Sequence, residues 1–128
     1  MESFKLIEIF PVTPGILYKA WLDSVTHAEI IGSSADIDPN LNGKFTIWDN
    51  YITGTTTELV PNKKIVQQWR TTEFPENSPD SILDLTFEPT KEGTKLTLIH
   101  KNIPDGQGEE YKQGWKEYYF GPMLEFFT

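Results

Sequence analysis

The chain has 128 residues, a formal net charge of −8 and no cysteine. At this length one domain spanning residues 1–128 is expected, with a core that needs no covalent links. The lack of cysteine excludes disulfides, thiol nucleophiles and thiolate metal sites. The negative charge argues against binding to nucleic acid or to anionic membranes. Residues 1–14 show no basic leader followed by an apolar run, so we expect a cytoplasmic protein without a membrane segment.

The first predicted elements are one strand and two short helices. Residues 3–10 alternate in the manner of a strand with a mostly apolar character. Thr13 and the proline after it suit the start of a first helix. A second helix is predicted to begin at Thr26, whose spacing to Glu29 is that of a capping box, and to end at Gly32.

The middle of the chain predicts a meander of antiparallel strands. Asp49 followed by Asn50, and Pro61 followed by Asn62, are pairs that favour tight turns. Successive strands joined by short turns pair antiparallel, so one sheet of six to seven strands is expected. The predicted strands of the meander are residues 43–48, 51–60, 64–74, 81–89 and 94–102.

The segment "GEEYKQGWKEYYFGPMLEFF", Gly108–Phe127, predicts an aromatic helix that covers the sheet. Four aromatic side chains share one helical face: Tyr111, Trp115, Tyr118 and Tyr119. We expect Trp115 and Tyr118 to fill the space between helix and sheet. Gly114, at the edge of that face, would let the helix approach the sheet closely, and Pro122 predicts a kink.

Four stretches of the sequence resemble one known family: "GKF", "LVPNKKIVQQWR", "LTF" and "QGWKEYYF". They are similar to the activator of heat-shock protein 90 ATPase homologue family, in its C-terminal-domain type, within the START-like or helix-grip superfamily. The likeness runs from about Phe10 to Phe127. It implies an α+β helix-grip fold, with a curved antiparallel six- to seven-stranded sheet, two short helices after the first strand and a long C-terminal helix.

The resemblance implies a non-enzymatic binding protein with a groove beneath the long helix. It also implies a co-chaperone or stress-response role, with a heat-shock protein 90 type chaperone as partner, no cofactor and no catalytic residue. The eukaryotic activator carries a preceding domain that makes the main grip on the chaperone, so this domain alone is expected to bind weakly. The alternative is a carrier or sensor of a small hydrophobic ligand. Large side chains across the groove favour the first function, and gaps lined by polar tips favour the second.

The side chains expected to line this groove lie on the inner face of the sheet and on the closing helix. His100 shares strand parity with Leu96 and Leu98, and Trp69 shares it with Ile65. Ten lining residues are predicted: Phe45, Trp69, Leu85, Phe87, Leu98, His100, Tyr111, Trp115, Tyr118 and Tyr119.

His100 is the residue that most invites a chemical role. As a core or groove-edge histidine it would bond a tyrosine hydroxyl or a backbone carbonyl. As a general base it would need a partner and a substrate, and no motif supplies either, so an enzyme using His100 and a tyrosine is the third hypothesis. Two histidines that are far apart in the chain, without cysteine, predict no metal site. Arg70 is expected to pair with Glu58 or Glu73 on the surface, with an acidic ligand head group as the alternative.

Overall fold

The computed structural model describes all 128 residues. The first part of the chain forms β1 (Glu2–Phe10), α1 (Pro14–Leu22), α2 (Ser24–Ile31), β2 (Ala35–Ile37), β3 (Lys44–Ile47), β4 (Ile52–Val60), β5 (Lys64–Thr71), β6 (Ser81–Thr90) and β7 (Gly93–Ile103). The closing helix, Gly108–Phe127, follows in three consecutive parts. These are α3 (Gly108–Gly114), a π-helical segment (Trp115–Phe120) and α4 (Gly121–Phe127).

All seven strands belong to one antiparallel sheet in the order β1-β7-β6-β5-β4-β3-β2. This arrangement confirms the predicted α+β helix-grip fold with its curved sheet and closing helix. The seventh strand, β2, had not been located from the sequence. Its three residues, Ala35–Ile37, pair with β3, and so short a segment carries no readable alternation. The strand β5 ends at Thr71, three residues earlier than predicted.

The second helix begins earlier than the sequence suggested. The Asp23 Oδ2 atom accepts hydrogen bonds from the Thr26 backbone N–H at 2.9 Å and from its hydroxyl at 2.7 Å. Asp23 is therefore the N-cap, and the capping box predicted at Thr26 and Glu29 is wrong. Because Asp23 accepts these bonds, the helix begins at Ser24, two residues before Thr26. Gly32, with φ 68°, ends the helix as predicted.

The irregularity expected near Pro122 is the π-helical segment that precedes it. The Gly121 backbone N–H bonds to the carbonyl of Lys116, five residues back, instead of four. A proline ring crowds the carbonyl four residues before it and donates no hydrogen bond, and the wider turn relieves this conflict. The extra residue per turn also rotates the side chains that follow. Tyr119 therefore faces the core, and Tyr118 does not.

The core fills the space between the inner face of the sheet, α1 and the closing helix. Trp115 lies there as predicted, only 4% exposed. Tyr118 is 59% exposed, so the prediction that it fills this space is wrong. An added Cβ on Gly114 would meet only Tyr118 Cδ2, at 3.8 Å, so the predicted close approach to the sheet at this glycine is also wrong. The close approach occurs inside the sheet, where the Phe45 ring lies directly over Gly54.

Candidate functional site

The space beneath the closing helix is occupied by large aromatic rings. The Trp115 ring centroid lies 4.7 Å from that of Tyr119 and 5.2 Å from that of Trp69. Trp21, from α1, lies 5.1 Å from Tyr119 on the other side. These rings are tilted against one another by 38–42°, and their centroids lie within the roughly 4.5–7 Å range of interacting aromatic pairs. They close most of the groove that the sequence predicted.

The polar groups of Tyr119 and Trp21 in this aromatic cluster have partners in the core. The Tyr119 hydroxyl lies 2.9 Å from His27 Nε2, and His27 Nδ1 lies 2.8 Å from the Trp21 carbonyl oxygen. Because a carbonyl only accepts, His27 donates from Nδ1 and accepts the Tyr119 hydroxyl proton at Nε2. The Trp21 indole N–H donates to Gln67 Oε1 at 3.2 Å. His27, which the sequence had placed only at a helix start, is therefore part of the core.

His100 is held in the opposite tautomer. The Trp115 indole N–H donates to His100 Nδ1 at 3.1 Å, and His100 Nε2 lies 2.7 Å from Ser81 Oγ. Since an indole N–H only donates, Nδ1 accepts and Nε2 carries the proton. The Ser81 hydroxyl in turn donates to the Trp69 carbonyl oxygen at 2.7 Å. His100 is a core histidine, as the sequence predicted, but its partners are an indole and a serine instead of a tyrosine or a carbonyl.

Burial keeps both histidines neutral. Loss of hydration lowers the pKa of His100 from its ordinary 6.5 to about 3. It lowers the pKa of His27 to about 4, partly opposed by the bond to the Trp21 carbonyl. The larger shift at His100 has a geometric counterpart, because a second proton on Nδ1 would point at the Trp115 N–H.

A cleft of about 140 Å³ remains between the closing helix and the β3–β4 end of the sheet. Twelve residues line it: Trp48, Tyr51, Ile52, Trp69, Thr71, His100, Glu110, Tyr111, Gly114, Trp115, Tyr118 and Tyr119. Six of the ten residues predicted to line a groove are placed here, namely Trp69, His100, Tyr111, Trp115, Tyr118 and Tyr119. The other four, Phe45, Leu85, Phe87 and Leu98, are buried in the core and do not line the cleft.

The β3–β4 turn contributes cleft residues that the sequence reasoning missed. Trp48, Asp49 and Asn50 all have positive φ, at 52°, 51° and 69°. The predicted turn at Asp49 and Asn50 is present, but Trp48 is part of it and not the end of a strand. The Trp48 ring stands nearly perpendicular to Tyr118 and Tyr119, with interplanar angles of 78° and 84°. An aromatic residue beside a turn signal was the one hint available from the sequence.

The mouth of the cleft is acidic. Glu110 is among the lining residues, and the Tyr51 hydroxyl donates to the Glu73 carboxylate. Burial raises the pKa of Tyr51, and the bond to Glu73 raises it further. The pKa of Tyr111 is also raised, by burial first and then by the charges of Glu73 and Glu110, against the bond that Tyr111 makes to Thr71. Both carboxylates therefore act on the tyrosines of the cleft.

Arg70 holds a loop in place and is not free to bind a ligand. Its guanidinium donates to the Ser78 carbonyl oxygen at 2.7 Å and pairs with Asp80 at 3.2 Å. The predicted pair with Glu58 or Glu73 is wrong. The loop after β5 folds back over Arg70, and carbonyl oxygens of this loop accept hydrogen bonds from the guanidinium. These N–H groups were predicted to pair with exposed carboxylates.

The arrangement offers no metal centre. No three His, Cys, Asp or Glu side chains lie close enough together to hold an ion. None of the helices is long and apolar enough to cross a membrane. What remains is an aromatic cleft with an acidic mouth beneath the closing helix.

One curved antiparallel sheet closed by a C-terminal helix over an aromatic interior defines a protein of the helix-grip class. Residues 11–125 match the family model described as Activator of Hsp90 ATPase homolog 1-like protein. The chain therefore belongs to this family, as the sequence motifs had indicated.

Two curated relatives illustrate the match. The chain is 32% identical over 122 residues to Activator of 90 kDa heat shock protein ATPase homolog 1 of Homo sapiens, covering 95% of this chain and 36% of that protein. It is 31% identical over 118 residues to homolog 2 of Mus musculus, covering 92% and 35%. The chain thus spans about a third of the length of the curated relatives it matches.

Solved structures share the fold. An HSP90 activator from Plasmodium falciparum superposes with a TM-score of 0.90 at 31% identity, covering 98% of this chain and 96% of that one. A protein from Chromobacterium violaceum superposes with a TM-score of 0.79 at 22% identity, covering 98% and 96%. The second likeness concerns the fold alone.

Proposed function

We propose that this chain is a non-enzymatic, co-chaperone-like module that binds a heat-shock protein 90 type chaperone. The observation that carries the proposal is its likeness to the Plasmodium falciparum HSP90 activator, which extends over 98% of this chain at a TM-score of 0.90. The membership of the chain in the Activator of Hsp90 ATPase homolog 1-like family supports the same partner.

The filled groove also favours surface binding over carriage of a large ligand. Pockets for drug-sized ligands measure about 300–1,000 Å³. The cleft here has about 140 Å³, because Trp115, Tyr119 and their neighbours occupy the rest of the groove. A chain with this interior has little room for a lipid or a polycyclic compound.

The structure gives no support for catalysis by His100. Both ring nitrogens are engaged, one by Trp115 and one by Ser81, and the side chain is 1% exposed. A general base needs a free lone pair within reach of a substrate proton. We therefore assign His100 a structural role.

The outer face of β1 offers the apolar centre of a protein-binding surface. Ile7 and Ile9 point the same way from an edge strand and are 49% and 37% exposed. Neighbouring exposed apolar side chains of this kind mark interaction surfaces more often than isolated ones do. We propose that the chaperone contacts this face.

The affinity is expected to be micromolar or weaker. When two binding modules are linked, the second one binds at a raised effective concentration. The chain spans only about a third of the length of its curated relatives, so it is expected to lack this gain. With a net charge of −8, contact with a basic patch on the chaperone should weaken as salt is added.

Titration calorimetry of the chain against the chaperone, with and without nucleotide, tests the proposal. We expect saturable heat and a slight rise in ATPase rate. Replacing both Ile7 and Ile9 with serine should weaken binding, whereas Val25→Ser, at an exposed position on α2, should not. The absence of heat and of any ATPase change at high micromolar protein would refute chaperone binding. Equal binding by the double variant would refute only the surface.

Small-ligand binding in the cleft is a second candidate function. The observation that favours it is the open aromatic space beneath the closing helix. An engineered apolar cavity of about 150 Å³ is large enough for one benzene molecule. The largest ligand group that fits this cleft is therefore a single ring or a branched head group. A saturable quench of Trp69 or Trp115 fluorescence by such a probe would support this function, and a linear response would not.

A further inference from the structure

The walls of the cleft consist mostly of aromatic rings, and several of their polar groups are already bonded within the protein. The hydroxyls of Tyr51, Tyr111 and Tyr119 are committed to Glu73, to Thr71 and to His27, respectively. The Trp115 indole N–H is committed to His100. The indole N–H groups of Trp48 and Trp69 and the Tyr118 hydroxyl are lining groups without a hydrogen bond inside the chain, and the rest of the wall consists mostly of aromatic rings.

The rings form a corner and not a stack. Trp48 stands at 78° to Tyr118 and at 84° to Tyr119, with centroids 6.4 Å and 5.4 Å away. Two walls of the cleft therefore meet at nearly a right angle. That geometry suits a compact, rounded group, since a flat ligand would need parallel walls.

Trp48 reaches this corner from a costly backbone conformation. It is the first of three successive residues with positive φ, and the other two, Asp49 and Asn50, are the types that tolerate this region best. A non-glycine residue held in this region costs about 1–3 kcal/mol, and such residues cluster at functional sites. The turn could be built with a residue better suited to positive φ in place of Trp48, so the indole ring itself has a use.

The charge of the cleft has one sign. Glu110 lines it, and Glu73 is bonded to the lining residue Tyr51. None of the twelve lining residues is lysine or arginine. The chain as a whole has a net charge of −8. A cation is therefore favoured at this cleft and an anion is disfavoured.

From these observations we propose that the cleft binds a small alkylammonium ion, with the head group held against Trp48 and Tyr118 and opposite the Glu110 carboxylate. Cations bind to the faces of tryptophan and tyrosine, and aromatic cages recognise quaternary ammonium groups in this way. The volume of about 140 Å³ is right for a trimethylammonium group. The inference concerns the ligand-binding role of the cleft and is independent of chaperone binding.

The test compares choline with its neutral carbon isostere, in which a tert-butyl group replaces the trimethylammonium group. Tryptophan fluorescence of the chain alone is followed at constant ionic strength, with sodium chloride balancing choline chloride. We expect choline to give a saturable change and the neutral compound to bind about tenfold more weakly, because only the cation gains from two ring faces and a carboxylate. Equal binding of the two compounds would refute the preference for a cation and would leave small-ligand binding in the cleft intact.

Variants at the exposed Tyr118 give a matched pair. Tyr118→Leu should reduce choline affinity at least threefold by removing a ring, whereas Tyr118→Phe should retain it. Glu110→Gln should weaken choline and leave the neutral compound unchanged. Both positions are solvent-exposed, so the three variants should fold as the parent does, which circular dichroism can check. A saturable choline signal that Tyr118→Leu leaves unchanged, or no signal from the parent at high millimolar choline, would overturn the proposal.

Discussion

Mild acid should destabilise this protein through its two buried histidines. His27 and His100 are neutral in the folded chain, and each ring accepts a hydrogen bond at the nitrogen that would have to be protonated. In the unfolded chain both imidazoles return to water and take up protons near their ordinary pKa of 6.5. Lowering the pH from about 7.5 to about 5 therefore favours the unfolded state.

The size of the effect follows from the pKa values. Burial lowers the folded pKa to about 4 for His27 and to about 3 for His100, so the unfolded state binds more protons below pH 6.5. Stability is complete above pH 6.5 and falls as the pH drops toward the folded values. At 1.36 kcal/mol per pKa unit, each histidine removes about 2 kcal/mol by about pH 5, and the two remove about 4 kcal/mol together. That is a large part of a typical free energy of unfolding of about 5–15 kcal/mol.

Urea unfolding, followed by tryptophan fluorescence at several pH values, measures this slope. Hydrogen bonds from Thr26 lower the pKa of Asp23 below its ordinary value of 3.8. The stability that this carboxylate contributes is therefore lost only below pH 3.8, which lies outside the pH range of the measurement. The variant His100→Gln should show about half the slope of the parent, since one titrating group is gone. A change in free energy of unfolding below about 1 kcal/mol between the two pH values would refute the assignment of two buried neutral histidines.

Four further predictions concern stability and composition. Trp115→Ala should cost about 3–5 kcal/mol in urea unfolding, because it empties the centre of the core, and an unchanged midpoint would place Trp115 outside it. Gly114→Ala should raise the melting temperature, because it adds a helix former worth about 0.5–1 kcal/mol whose methyl group would make only an ordinary contact with Tyr118. Gly54→Ala should unfold the protein or lower its melting temperature sharply, because the new methyl group would overlap the Phe45 ring and the Gln68 carbonyl oxygen. Elemental analysis should find no stoichiometric zinc, because no three His, Cys, Asp or Glu side chains lie close enough together to bind it. One zinc per chain would contradict this prediction.

The family motifs and local patterns in the sequence predicted the architecture. Alternation over residues 64–71 and 94–102 marked strands, and the pairs Asp49-Asn50 and Pro61-Asn62 marked turns that the structure contains. These signals depend on neighbours a few residues apart, which is why they can be read along the chain. The motif "QGWKEYYF" indicated the family for the same reason, as a contiguous string.

The set of residues that line the cleft depends on the tertiary structure. One additional residue in the π-helical segment exchanged the roles of Tyr118 and Tyr119, and a regular helical wheel cannot register such an insertion. The bond between Tyr119 and His27 joins residues 92 positions apart, and no local pattern connects them. Trp48 reached the cleft only because three successive residues adopt positive φ. Contacts between distant segments depend on the packing of whole elements, and that packing is fixed only when the sheet and the closing helix come together.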